Sequence, residues 1–254
     1  MIDAPLVTGD SQDASIRALV AAFRRRAVPL TLVLSDDPPE LDWELGGPLH
    51  IGGVELAPRA VFVRPDVFAS PADPSPVVAE GALAWTAAIS GYALATSTRM
   101  PNAAPDPHAG NKPAMLVLAA ELGLAVPPTR ITNARAASGT ILRAPAILQP
   151  ELVAPELRLF AVGDEIFAFE VRSPSLDYRT GPADVIAVEP PAHLVEPYLA
   201  LVHMLGLDFC AADFKSARTG ELLLLEVNAG PMFARFDEAA AGALTDALVD
   251  WLLR

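Results

Sequence analysis

Two carboxylates and one amide near the end of the chain are the residues best placed to do chemistry. Asp213 lies in AADFK, and Glu226 and Asn228 lie in LLLLEVN. Both segments read as strands, joined across Arg218-Thr219-Gly220 as a hairpin. Strand side chains alternate between faces, so Glu226 and Asn228 point the same way, and Asp213 on the partner strand can share their face. Two carboxylates and an amide oxygen on one face form a hard-oxygen site, of the kind Mg²⁺ takes together with phosphate oxygens and water. Glu226 interrupts an apolar run, where a carboxylate is costly unless it is paired or ligated. A hairpin whose acidic residues face water is the alternative reading of this spacing.

The remaining composition limits the chemistry. The chain has 254 residues, 52% of them apolar and 19% charged, with a net charge of −13. That is a globular composition, with enough chain for one large domain or two ordinary ones. The acidic balance argues against a general nucleic-acid or membrane-surface binder. The single cysteine, Cys210, rules out a disulfide framework within the chain, fits a reducing, cytoplasmic setting, and reads as a small buried hydrophobe. No signal peptide and no membrane-spanning run is evident. Only two lysines occur, Lys112 and Lys215, which singles both out as functional candidates.

The elements that must position these residues follow from period and punctuation. Helices are expected at 11–26, with Ser11 or Asp13 as N-cap, at 76–91, 112–122, 192–205 and 238–253. Strands are expected at 28–34 and 60–63, and a hairpin at 49–51 and 54–56 around Gly52-Gly53. Further strands are expected at 157–162 and 165–171 across Gly163-Asp164, and at 209–215 and 222–227. The Pro-, Gly- and Asn-rich link 100–110 marks a boundary, giving expected domains 1–100 and 101–254. The class is α/β.

With these segments in hand, a resemblance emerges. The run GLDFCAADFKSARTGELLLLEVNAGPMF resembles the C-terminal metal hairpin of the ATP-grasp ligases, in which an Asp is followed on the next strand by Glu-Val-Asn. The run HAGNKPAMLVLAAELGLAVPPTRITN resembles that family's opening helix, with Lys112 at its lysine, and AILQPEL resembles the hinge that receives adenine. PELRLFAVGDEIFAFEVRSPSLDYR resembles the hairpin that follows, and LHIGGVELAPRAVFVRP is weakly similar to a pre-ATP-grasp domain. The resemblance covers about residues 97–254. It is nearest to the ribosomal-protein glutamate ligases and the ligases that modify or macrocyclise ribosomal peptides.

The resemblance implies a pre-ATP-grasp-like N-terminal domain followed by a truncated ATP-grasp module. The implied activity is an ATP-dependent carboxylate–amine ligase acting through an acyl phosphate on a peptide or a small amino or carboxylate substrate. It implies ATP and Mg²⁺ as cofactors, with the metal on Asp213, Glu226 and Asn228. Lys112, Gln149, Leu152, Glu156 and Lys215 would bind nucleotide, and Arg158, Arg172 and Arg179 would offset charge on the transferring group. One departure stands out. Only residues 134–148 separate Asn133 from Gln149, where the family carries a lobe with a Gly-rich loop and a phosphate-binding lysine. Arg135 or Arg143 is expected to replace that lysine, or a second subunit or partner protein to cover the site, with apolar Pro231, Met232 and Phe233 available to receive it. The alternative is a catalytically reduced protein that binds a peptide, a nucleotide or a partner.

Overall fold

The computed structural model describes residues 2–64, 76–133, 144–173 and 183–254; within the long helix that opens at Pro76, the side chains of 76–79 and 82 are not described. Two compact units form. One comprises residues 1–104, 207–209 and 230–254, the other 105–206 and 210–229. The division expected at residue 100 thus differs at the C-terminus, where residues 207–209 and 230–254 pack with the N-terminal segment.

The first unit is built on three parallel strands. β1 (Leu6–Gly9) pairs with β2 (Thr31–Leu34) on one side, and with the later strand Val61–Val63 on the other. β1 escaped sequence reading because it is four residues long and buried throughout, so it shows no alternation. α1 (Ala14–Arg25) starts at N-cap Asp13, whose side chain accepts from Ser15 N, which settles the choice between Ser11 and Asp13. β3 (Leu41–Trp43), β4 (Leu49–Ile51) and β5 (Val54–Leu56) form an antiparallel meander around the expected Gly52-Gly53 turn, followed by β6 (Val61–Val63) and α2 (Pro76–Thr96). Leu6, Val33, Leu49, Ile51, Val61, Ile89 and Tyr92 share one core cluster.

The helix expected over 238–253 is two helices, Ala234–Ala239 and Ala243–Leu253. Ala241 and Gly242 between them have φ of 53° and 90°, the left-handed region that ends a helix. Asp237 fixes the restart, accepting from Thr245 N at 2.8 Å and Thr245 Oγ1 at 3.0 Å. Of the apolar loop before them, Pro231 and Phe233 are buried, and Phe233 packs edge-on against Phe209 at 5.4 Å between centroids. Only Met232, 44% exposed, remains available to a partner.

The second unit carries the residues of interest. α3 (Lys112–Glu121) begins at N-cap Asn111, whose side chain accepts from Ala114 N. β7 (Arg130–Thr132) and β8 (Ala146–Leu148) pair as a two-stranded antiparallel ribbon. β9 (Val153–Val162), β10 (Glu165–Arg172), β11 (Asp184–Val188), β12 (Phe209–Ser216) and β13 (Leu222–Asn228) form a sheet in the order β11-β10-β9-β12-β13. β11 was not expected from the sequence. α4 (Ala192–Met204) buries Leu194, Tyr198, Leu201 and Val202, and the Tyr198 hydroxyl donates to Leu159 O at 3.1 Å. With the two short helices at the C-terminus as α5 and α6, among the described residues no helix is long and apolar enough to cross a membrane.

Candidate functional site

The register of β12 against β13 decides the site. Asp213 stands directly opposite Glu226, and Ala211 opposite Asn228. Opposed residues share a face and residues two apart on one strand share a face, so all three side chains lie together. A bulge follows Asp213, placing Phe214 opposite Leu224 and leaving Leu225 as the extra residue. Asn228 Nδ2 donates to Asp213 Oδ2 at 3.3 Å and to Glu226 Oε1 at 3.2 Å. The donor set fits a hard divalent cation: two carboxylates and an amide converge within hydrogen-bond reach of one another. A cation taking all three would need the Asn228 amide turned about its terminal bond so that Oδ1 faces inward.

Cationic side chains meet this cluster from neighbouring elements. Arg158 Nη1 on β9 lies 3.0 Å from Asp213 Oδ1, with the two side chains 4% and 7% exposed. A charge so buried is tolerated only when paired, and here each is the other's counter-ion. Lys112, at the start of α3, places Nζ 3.9 Å from Glu226 Oε2. Two residues along each strand from Arg158 and Asp213, Glu156 Oε2 and Lys215 Nζ make a second ion pair at 3.3 Å, again largely buried. β9 and β12 therefore present two ion pairs in step on one face.

The hinge and the outer arginines are arranged differently. Gln149 follows β8 and donates from Nε2 to Thr129 Oγ1 at 3.0 Å, while Leu152 is buried. Arg172 ends β10 with its side chain 61% exposed and donates to Glu170 at 2.6 Å. The hydrogen bond it gives Glu170 raises the Arg172 pKa above its ordinary value, and the same bond lowers that of Glu170. Arg179, Arg135 and Arg143 lie outside the described residues. What sequence reading missed is the pairing itself: the Glu156-x-Arg158 and Asp213-x-Lys215 spacings carried the signal. It also missed an apolar groove of about 740 Å³ between α3 and the Val126–Ile131 segment, lined by Pro113, Leu116, Val117, Pro127, Pro128 and Ile131.

No protein-family model matches the sequence, and no curated protein matches it. Solved structures do match, along the whole chain. The ATP-grasp ligase PsnB complexed with a minimal precursor superposes with a TM-score of 0.78 at 20% identity, over 100% of this chain and 99% of that one. The macrocyclase MdnC from Microcystis aeruginosa MRC, bound with precursor peptide MdnA, gives 0.73 at 19% identity over 99% of each chain. A Chryseobacterium gregarium RiPP-associated ATP-grasp ligase, in complex with ADP and a leader and core peptide, gives 0.73 at 15% identity over 100% and 97%. The chain has the ATP-grasp fold.

Proposed function

We propose that this protein is an ATP-dependent carboxylate–amine ligase of the peptide-modifying kind, working in the cytoplasm through an acyl phosphate. The observation that carries the reading is the convergence of Asp213, Glu226, Asn228, Arg158 and Lys112 in one sheet-and-helix cluster of an ATP-grasp fold. The fold's neighbours support the ligand classes: PsnB was solved with its precursor, Mg and ADP. Asp213, Glu226 and Asn228 would hold Mg²⁺, which would neutralise phosphate charge. Lys112 would meet the phosphates, and Arg158, Arg172 and Arg179 would offset charge on the group in transfer. Gln149 and Leu152 would seat the base, with Glu156 and Lys215 beside it. The protein's contribution is positioning and charge compensation, which is what phosphoryl transfer to a carboxylate requires before an amine attacks and phosphate leaves.

Titration calorimetry with ADP, with and without Mg²⁺, tests the reading. Micromolar binding that needs Mg²⁺ and is lost in Glu226→Gln and Asp213→Asn, with melting temperatures near wild type, is the expected result. Magnesium-dependent binding unchanged in both variants would make the hairpin structural and sink it.

The three-residue strands β7 and β8 favour a second reading, because a link this short leaves little chain to shield a reactive acyl phosphate from water. On that reading the protein is a catalytically reduced module that binds peptide, nucleotide or a partner. An active ligase would need a second copy or a partner protein beside Gln149, where Ile131, Ile147 and Leu148 are 52%, 39% and 44% exposed. Light scattering with crosslinking separates the two: a strict monomer with full ligase turnover would remove the need for any covering surface.

A further inference from the structure

The groups that would receive a cation and those that would receive phosphate are paired with one another. Arg158 Nη1 lies 3.0 Å from Asp213 Oδ1 and 3.5 Å from Oδ2, Lys112 Nζ lies 3.9 Å from Glu226, and Lys215 Nζ lies 3.3 Å from Glu156. Among the described residues, three cations and three carboxylates pair off on this face. A lone divalent cation or a lone polyphosphate must compete with one of these pairs for its ligand. The Arg158–Asp213 pair is the most buried of the three. A divalent cation on Asp213 would stand close to the guanidinium in a region of low dielectric, where like charges repel most. Arginine cannot relieve that repulsion by losing a proton. Taking an anion as a new partner relieves it. The guanidinium carbon lies 5.3 Å from the centroid of the Phe160 ring, within the range of a cation–π contact.

We infer that Arg158 is a charge exchanger, coupling the cation to the anionic substrate: it competes with the divalent cation for Asp213, and the cation binds tightly only when a phosphate takes up the guanidinium. The inference rests on the metal–nucleotide reading and adds a sign to it. Arg158 weakens binding of the cation alone and strengthens binding of the cation–phosphate pair. By linkage, each ligand tightens the other by the same factor.

The experiment measures Mn²⁺ binding to the full chain by titration calorimetry, with no nucleotide present. Arg158→Met keeps an unbranched stem and removes the charge. It is expected to bind Mn²⁺ alone at least tenfold more tightly than wild type, and ADP with Mg²⁺ at least tenfold more weakly. In wild type, inorganic pyrophosphate is expected to tighten Mn²⁺ at least tenfold. An Arg158→Met protein that binds Mn²⁺ alone no better than wild type overturns the exchange, and leaves Arg158 as a brace for Asp213. If that variant does not fold, the Nε–Hε resonance of Arg158 in wild type carries the test. It should move with Mg²⁺ and pyrophosphate together and far less with either alone; a resonance indifferent to both together overturns the exchange. Failure of the underlying reading looks different: Mn²⁺ then binds neither wild type nor variant, with or without pyrophosphate, or binds Asp213→Asn equally well.

Discussion

Lys112 is the residue at which local cost and function part most clearly. It opens α3 just after the Asn111 cap. A cation in the first turn opposes the helix dipole by about 0.3–1 kcal/mol, and Glu226 at 3.9 Å is the nearby charge that offsets this. The pair is about one-third exposed on each side, so water screens it and its own contribution is small. Lys112→Ala is therefore expected to leave the melting temperature close to wild type while lowering ADP affinity in Mg²⁺ about tenfold or more, an affinity read by calorimetry. A variant with unchanged ADP affinity would make Lys112 a solvated surface residue. Asp213, Glu226 and Asn228 were legible as a set because strand alternation is a local rule that one hairpin satisfies by itself. The partner of Arg158 was not, because the alignment of β9 with β12 joins residues 55 apart in sequence and no local pattern sets it.

At the scale of elements, Tyr198 ties α4 to the sheet. It is fully buried, and its hydroxyl donates to Leu159 O on β9. Burial, with Cys210 adding to it, raises its pKa well above the ordinary tyrosine value of 10.0. The sign follows from that direction. Below about pH 10 the side chain is neutral in both folded and unfolded chains, and its hydrogen bond contributes in full. Above that pH the unfolded chain ionises first, so stability falls as pH rises. Tyr198→Phe is expected to lose about 1 kcal/mol at pH 8, the usual worth of one such bond. The gap to wild type should then narrow between pH 9 and 11 in urea denaturation, and a gap independent of pH would mean the hydroxyl ionises as easily folded as unfolded. Elements with period or punctuation were readable, such as α3 with its Asn111 cap and the β9–β10 and β12–β13 hairpins. β1, β3 and β11 were not: they are three to five residues long, and tertiary pairing rather than local pattern makes them strands. The break between α5 and α6 was hidden for a related reason, since Ala241 holds a positive φ that an alanine does not announce.

At the scale of the whole molecule, the charge of −13 acts on every ligand before contact. A polyphosphate approaching an acidic protein is slowed at long range, the reverse of the steering that basic clefts give. Among the described residues the cluster's cations and carboxylates pair off, so these pairs add little local field with which to overcome that repulsion at a distance. Salt screens such long-range interactions, the Debye length falling from about 30 Å at 0.01 M to about 10 Å at 0.1 M. The association rate of a fluorescent ADP, in saturating Mg²⁺, is therefore expected to rise or hold level as NaCl increases from 10 to 100 mM. A basic peptide should behave oppositely, associating more slowly as salt is added. Stopped-flow measurements on the full chain at constant pH compare the two directly. If ADP association instead slows steeply with salt, a positive local field dominates at the nucleotide site.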